Sequence, residues 1–264
     1  MKKFLVIGNP IEHSLSPKLH NYWIKKNNIN AIYEKQKLNE NDLKDSILQI
    51  RNKKIDGINV TVPYKKLVIP LLDELTYEAK KTQSVNTIYL KVDKAIGHNT
   101  DISGFEISMN KLKFDFQNKS VLILGAGGVV ASIIFALNKM KVSKIIISNR
   151  TKEKAENLKN LFKNIIVVDW GDIPDFDLII NATSIGLKKE DRMSLDFSAI
   201  GKNKIFYDVI YNPKETNFLK VGKDLGNIAI NGKLMFIYQA LSAFHIWHGL
   251  KPDINEDVIK LLDL

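Results

Sequence analysis

The chain has no cysteine, only three arginines and no long apolar run. Without cysteine there can be no disulfide, no thiolate metal ligand and no cysteine nucleophile. No stretch approaches the ~18–20 apolar residues that a bilayer-spanning helix requires. The opening Met1-Lys-Lys-Phe-Leu-Val-Ile-Gly-Asn-Pro10 has two lysines and a short apolar run. No small-residue cleavage site follows it, so it reads as a first strand and not a signal peptide. His245 and His248 lie one helical turn apart, but no acidic residue or further histidine stands at a metal-like spacing, so no metal site is expected. These absences fit a cytoplasmic enzyme.

What is present begins with charge. The formal net charge is +10, but the lysines are scattered among Asn, Ile and Glu with no dense basic stripe. A taste for anionic ligands accounts for this better than nucleic acid does. The 264 residues are comfortable for two domains, and the sequence leaves monomer and homodimer both open.

Strand-like apolar runs alternate with amphipathic segments, which argues for α/β architecture with parallel strands. Strands are expected near 2–8, 31–38, 56–62 and 85–92, with helices near 17–27, 40–52 and 65–81. A second series follows, with strands near 120–125, 144–148, 164–168, 177–181, 204–209 and 227–230. Helices are expected near 128–140, 152–162 and 233–247, and a short one near the end. The expected organisation is an α/β substrate domain over 1–101, completed by helices of 235–264. A Rossmann-type, doubly wound nucleotide domain over 102–234 is inserted between those parts, with a cleft between the two domains.

Val121-Leu-Ile-Leu-Gly-Ala-Gly-Gly-Val-Val-Ala131 reads as a buried strand, a glycine-rich turn and a helix. Gly125 permits the tight turn and Gly127 lets backbone approach a pyrophosphate, which the helix N-terminus then meets with unpaired N–H groups. Val130 stands where Gly or Ala is usual. The next strand ends in Ser148-Asn-Arg-Thr-Lys152, with an arginine where NAD enzymes place an acid. The planar guanidinium of Arg150 suits a 2′-phosphate, so NADP(H) is expected over NAD; Thr151 also suits a helix N-cap.

In Asp56-Gly-Ile-Asn-Val-Thr-Val-Pro63 the alternation places Ile58, Val60 and Val62 on one face and Asn59 and Thr61 on the other. Lys65 then opens a helix at the strand's carboxyl end, where open α/β sheets bind ligands. Asn59 and Thr61 supply uncharged hydrogen bonds there, and Lys65 supplies a charge or a proton. Other strand ends bring Asn86 and Asp101. Asp101 either pairs with Lys65 to hold a proton beside a carbonyl or caps the following helix. Ser14 and Ser16 share a face in extended chain. Ser16 is expected to be an N-cap with Pro17 at the first helical position, and paired hydroxyls suit a substrate carboxylate.

Taken together, these stretches resemble the shikimate dehydrogenase family. The matching runs are Ser14-Leu-Ser-Pro17, Asn59-Val-Thr-Val-Pro-Tyr-Lys65, Val85-Asn-Thr87, Asn99-Thr-Asp101 and Gly125-Ala-Gly-Gly128. Asn149-Arg-Thr151, Asn181-Ala-Thr183, Asp208-Val-Ile-Tyr-Asn-Pro213 and Gln239-Ala240 continue the series in family order. The resemblance implies reversible NADPH-dependent reduction of 3-dehydroshikimate to shikimate, in aromatic amino-acid biosynthesis. It assigns Ser14 and Ser16 to the substrate carboxylate, and Asn59, Thr61, Asn86, Asp101 and Gln239 to its hydroxyls and carbonyl region. Lys65 becomes the acid/base with Asp101 as its partner. Gly125, Ala126, Gly127, Gly128 and Val129 surround the cofactor diphosphate, and Asn149, Arg150, Thr151 and Lys152 the adenosine phosphate. Thr183, Ile210, Tyr211, Gly232 and Met235 line the nicotinamide side or the substrate cleft. Two departures stand out: Val129-Val130 replaces a usual pair of alanines, and Lys233 follows Gly232 where an apolar residue is common. A quinate/shikimate dehydrogenase of relaxed cofactor use, a folate dehydrogenase and a non-catalytic NADP-sensing protein remain as alternatives. The charged run Lys188-Lys-Glu-Asp-Arg192 receives no function.

Overall fold

The computed structural model describes residues 1–112 and 114–263. The chain divides into two compact units, Met1–Gly104 with Ile237–Leu264, and Phe105–Phe236. The limits fall two or three residues beyond those expected from sequence, so Met235 stands in the second unit.

The first unit contains β1 (Lys2–Gly8), α1 (Ser16–Lys26), β2 (Ala31–Lys37), α2 (Leu43–Arg51), β3 (Gly57–Val60), β4 (Glu74–Leu75), α3 (Tyr77–Thr82), β5 (Thr87–Lys91) and β6 (Lys94–His98). Its six strands run in the order β2-β1-β3-β5-β6-β4. The expectation of parallel strands holds for β1 with β2 and β3 and for β4 with β6, but fails at β5, which is antiparallel to both β3 and β6. Only a tight reversal at Val92 and Asp93, both at positive φ, separates β5 from β6, and so short a link leaves no room for a crossover helix.

The helix expected over 65–81 is present only at its end, as α3. Residues 62–68 form turns, Ile69–Leu71 is a 3₁₀ turn, and Leu72 is already extended. Pro70 has no N–H with which to continue a helical ladder. The turn region is instead pinned by its apolar side chains: Tyr64 and Val68 are buried. The core beneath it joins Leu5, Ile7, Ile47, Ile58, Val60 and Ile88. On the other side, Phe4, His20, Trp23, Tyr33, Phe244 and Trp247 form an aromatic cluster. His20 stacks on Tyr33 with ring centroids 4.1 Å apart.

The link α4 (Asp101–Asn110) leads to the second unit, which contains β7 (Ser120–Leu124), α5 (Val130–Lys139), β8 (Lys144–Ser148), α6 (Lys152–Glu156), β9 (Ile165–Val168), β10 (Leu178–Asn181), β11 (Ile205–Asp208), α7 (Asn217–Asp224) and β12 (Ile228–Ile230). Then α8 (Lys233–His248) and α9 (Glu256–Leu261) complete the chain. The second sheet is wholly parallel, in the order β12-β11-β10-β7-β8-β9. This is the doubly wound Rossmann order, with its switch point between β7 and β10. The expected helix over 152–162 is shorter: α6 gives way to a 3₁₀ turn at Asn157–Asn160, where two asparagines weaken helical propensity. No helix among the described residues is long and apolar enough to cross a membrane.

Candidate active site

In the first unit the strand reversal gathers polar residues at one sheet edge. Asn59, at the carboxyl end of β3, is paired with Thr87, the first residue of β5, and Thr87 in turn with His98, the last of β6. Asn86 and the 99–101 segment therefore meet at the same edge. Lys65 reaches it from the turn after β3, its own carbonyl accepting from the Val85 N–H at 2.9 Å.

There Lys65 Nζ donates to Asp101 Oδ2 at 2.5 Å. Both side chains are largely buried, 12% and 8% exposed. Such a charge-assisted bond is short and strong, and two of the three ammonium hydrogens remain for other acceptors. Asp101 Oδ1 accepts from Asn86 Nδ2 at 2.9 Å, and the Asp101 N–H donates to Asn99 Oδ1 at 3.1 Å. Asp101 is thus the first residue of α4, with Asn99 satisfying its amide. The Asn86 amide is fixed further by Thr100, whose N–H donates to Asn86 Oδ1 at 2.7 Å, and it approaches Gln239 Oε1 at 3.5 Å.

Asn59 belongs to this network but is turned inward. Its amide nitrogen donates to the Asn86 carbonyl and to Thr87 Oγ1, both at 3.0 Å, and its oxygen accepts from the Tyr33 hydroxyl at 2.7 Å. With both faces of β3 covered, Asn59 is a support of the edge rather than a wet-face donor. Val62, expected on the core face, is 58% exposed because the strand ends at Val60. Sequence reasoning does not single out Tyr33, which reads as one more aromatic of β2; its partner, lying 26 residues on, gives no local signal.

Ser14 and Ser16 lie in the same unit, at the start of α1. Leu15, not Ser16, takes the cap position, and Ser16 is the first helical residue. The Ser14 hydroxyl accepts the Ser16 N–H at 3.3 Å, which gives it a local role that spacing alone does not show. Thr61 is half-buried, its N–H on the Ile7 carbonyl at 2.9 Å.

In the second unit, Gly125 has φ +113°, and a Cβ there would lie 2.9 Å from the Ala182 carbonyl, so the turn after β7 requires glycine. Gly127 is exposed, Ala126, Gly128 and Val129 are half-buried, and Val129 takes the cap position before α5. A bare glycine turn opening onto a helix N-terminus fits a diphosphate. At the end of β8, Asn149 Nδ2 donates to the Thr151 carbonyl at 2.7 Å and Arg150 is exposed. Thr151 holds the cap position of α6 but makes no side-chain capping bond. Lys152 pairs with Asp169 at 2.7 Å, and that hydrogen bond raises its pKa. Two cations beside a hydrogen-bonding turn fit a phosphate monoester. Thr183 bonds to Asn181, Ile210 to Asp208 and Gly232 to Ile210. Tyr211 stacks on Phe236 at 4.4 Å, and Met235 is buried. Asn181 and Asp208 receive no role from sequence, although each is a polar residue closing a fully buried strand.

Comparison with known proteins points to one family. Residues 6–88 match the model of the shikimate dehydrogenase substrate binding domain, and residues 106–209 that of shikimate / quinate 5-dehydrogenase. A shikimate dehydrogenase (NADP(+)) of Pelagibacter ubique is 59% identical, over all of this chain and 99% of that one. The crystal structure of shikimate dehydrogenase from Aquifex aeolicus superposes with a TM-score of 0.91 at 38% identity, covering 98% of this chain and 96% of that one. That of the Thermus thermophilus enzyme, in complex with NADP(H) and shikimate, gives 0.89 at 28% identity and covers 99% and 100%. Both halves of the sequence and both sheets agree in order with one set of proteins, and the chain belongs to the shikimate dehydrogenase family.

Proposed function

We propose that Lys65 and Asp101 carry the acid–base step of the reversible NADPH-dependent reduction of 3-dehydroshikimate to shikimate, the reaction of this family. The observation that supports this reading above all is the Lys65–Asp101 contact at 2.5 Å, at an edge lined by Asn86 and Gln239. Bound NADPH supplies the hydride that reduces the carbonyl carbon. As the carbonyl oxygen gains charge it takes a proton from Lys65 Nζ. Asp101 stays ionised throughout, first orienting the ammonium and then holding the amine in place. Asn86 keeps the carboxylate from rotating by occupying its second oxygen.

Ser14 and Ser16 bind the substrate carboxylate, while Thr61, Asn86 and Gln239 hold its hydroxyls. Asn59 acts behind them by fixing Asn86 and Thr87. For the cofactor, the 125–129 turn holds the diphosphate, and Asn149 to Lys152 hold the adenosine phosphate. Thr183, Ile210, Gly232 and Met235 face the nicotinamide half, with Tyr211 on the substrate side.

A steady-state assay of shikimate and quinate against NADP and NAD tests the reading. NADP reduction driven by shikimate is expected. No turnover with any pair would overturn it, and equal rates with quinate and NAD would favour the relaxed quinate/shikimate enzyme.

A further inference from the structure

Asp208 is a buried ionisable group that the acid–base step does not use. It closes β11 with no exposed surface, and no ion pair meets it among the described residues. Its partners are all neutral donors. Oδ1 accepts from the Ile210 N–H at 3.0 Å and the Asn181 amide at 3.1 Å. Oδ2 accepts from the Thr216 hydroxyl at 2.6 Å and the same amide at 3.1 Å. An acceptor-only carboxylate suits four converging donor contacts, whereas a protonated acid would turn an O–H against one of them.

The contacts spread outward to three segments. Asn181 Oδ1 accepts from the Thr183 N–H at 3.1 Å and the Thr183 hydroxyl at 2.7 Å. The Ile210 carbonyl accepts from the Gly232 N–H at 3.1 Å. Gly232 tolerates no side chain, since a Cβ would lie 2.2 Å from the Val209 carbonyl oxygen. Thr183, Ile210 and Gly232 are far apart in sequence, yet each is set by Asp208 directly or through one intermediate.

This arrangement has an energetic cost. Burial pushes the Asp208 carboxyl up to about 6, so its ionised form works against the fold at neutral pH. A neutral amide of the same shape would hold the Ile210 N–H and turn its own N–H to Thr216, without burying a charge. Its new amide nitrogen would, however, stand where Oδ2 meets the Asn181 amide nitrogen at 3.1 Å, donor against donor, so the hold on Asn181 is weakened to the contact with Oδ1. Asn181 keeps its bond to the Ile185 carbonyl at 3.0 Å.

We infer that Asp208 is a positioning residue for cofactor binding, giving up fold stability to fix the three segments that face the nicotinamide half of NADP(H). This rests on the assignment of Thr183, Ile210 and Gly232 proposed above. The test is Asp208→Asn, measured at pH 8 by thermal denaturation, by titration of NADPH fluorescence and by turnover with shikimate varied. The melting midpoint should equal or exceed that of the parent, NADPH should bind roughly 5–20-fold more weakly, and the shikimate KM should stay within about twofold. Unchanged NADPH binding would overturn the inference. So would a lowered midpoint or failure to fold, since the carboxylate would then serve the fold. If the parent itself does not bind NADPH, the functional reading fails; if the parent binds and the variant matches it, only the role of Asp208 fails.

Discussion

The two sheets collect their functional residues in different ways. In the second, every strand is parallel, so its carboxyl ends lie at one edge and deliver turns: Gly125 after β7, Asn149 after β8, Asn181 and Asp208 closing β10 and β11. Such an edge is rich in backbone N–H groups and suits phosphates. In the first, the reversed β5 places its start beside the ends of β3 and β6. Were β5 parallel to β3, Asn86 would stand at the far edge, about 16 Å away at ~3.3 Å per residue. Reversal makes an edge where side chains bond to one another, as Asn59, Asn86, Asp101 and Lys65 do. That difference is what the proposed roles rest on: proton chemistry at the side-chain edge of one unit and nucleotide binding at the turns of the other.

The strongest way to break that division is Lys65→Ala. Turnover should fall by roughly 10²–10⁴-fold with shikimate KM little changed, while NADPH binding by titration stays at the parent value. Weakened NADPH binding in this variant would erase the separation of roles.

Acid should separate the units as well. Burial among aromatics holds the His20 imidazole down at about 3, so it stays neutral in the fold, while the unfolded chain takes up a proton near the usual 6.5. Stability is therefore lost as pH falls below 6.5, by about 2 kcal/mol by pH 5 from this group alone. Asp208 works in the opposite sense, its raised pKa favouring the fold as pH falls from about 6 towards 3.8. Hydrogen exchange across a pH series should show the first unit opening before the second; the reverse order would contradict the assignment.

Arg150→Ala sharpens the nucleotide side. The NADP KM should rise about tenfold with that for NAD nearly unchanged, the loss expected for one charged phosphate contact. Equal losses with both cofactors would remove the phosphate role.

The smallest contrast concerns helix caps. Thr76 accepts the Ala79 N–H, whereas Thr151 makes no such bond. Thr76→Ala should cost about 1 kcal/mol in denaturant melts and Thr151→Ala no more than a few tenths. Equal losses would mean that Thr151 caps α6 in solution.

Much of this was legible in the sequence because periodicity and composition report burial directly. The strand series of the second unit and the turn at Gly125 follow from runs such as Val121–Leu124. Polar residues at strand ends leave Asp101 open between a partner of Lys65 and a helix cap, and the resemblance to the family favours the pairing that the structure shows. Strand direction does not follow from such runs, since an apolar alternation reads the same either way, and the reversal rests on two positive-φ residues that are not glycine. The inward turn of Asn59 escaped because its partners, Tyr33 and Thr87, lie 26 and 28 residues away. The helix expected after Lys65 failed for a local reason, Pro70, that the sequence does display. Asp208 is an instructive miss, because a buried carboxylate without a cation looks like any strand-ending acid until its donors are seen.

The aromatic cluster has one more consequence. Of the three tryptophans, Trp23 and Trp247 are buried in it, while Trp170 packs on the core of the other unit. Trp23 lies edge-on to His20, with ring centroids 5.7 Å apart. The chain thus carries an optical probe weighted towards one unit, and its indole emission should follow the opening of that cluster while the nucleotide turn is still intact.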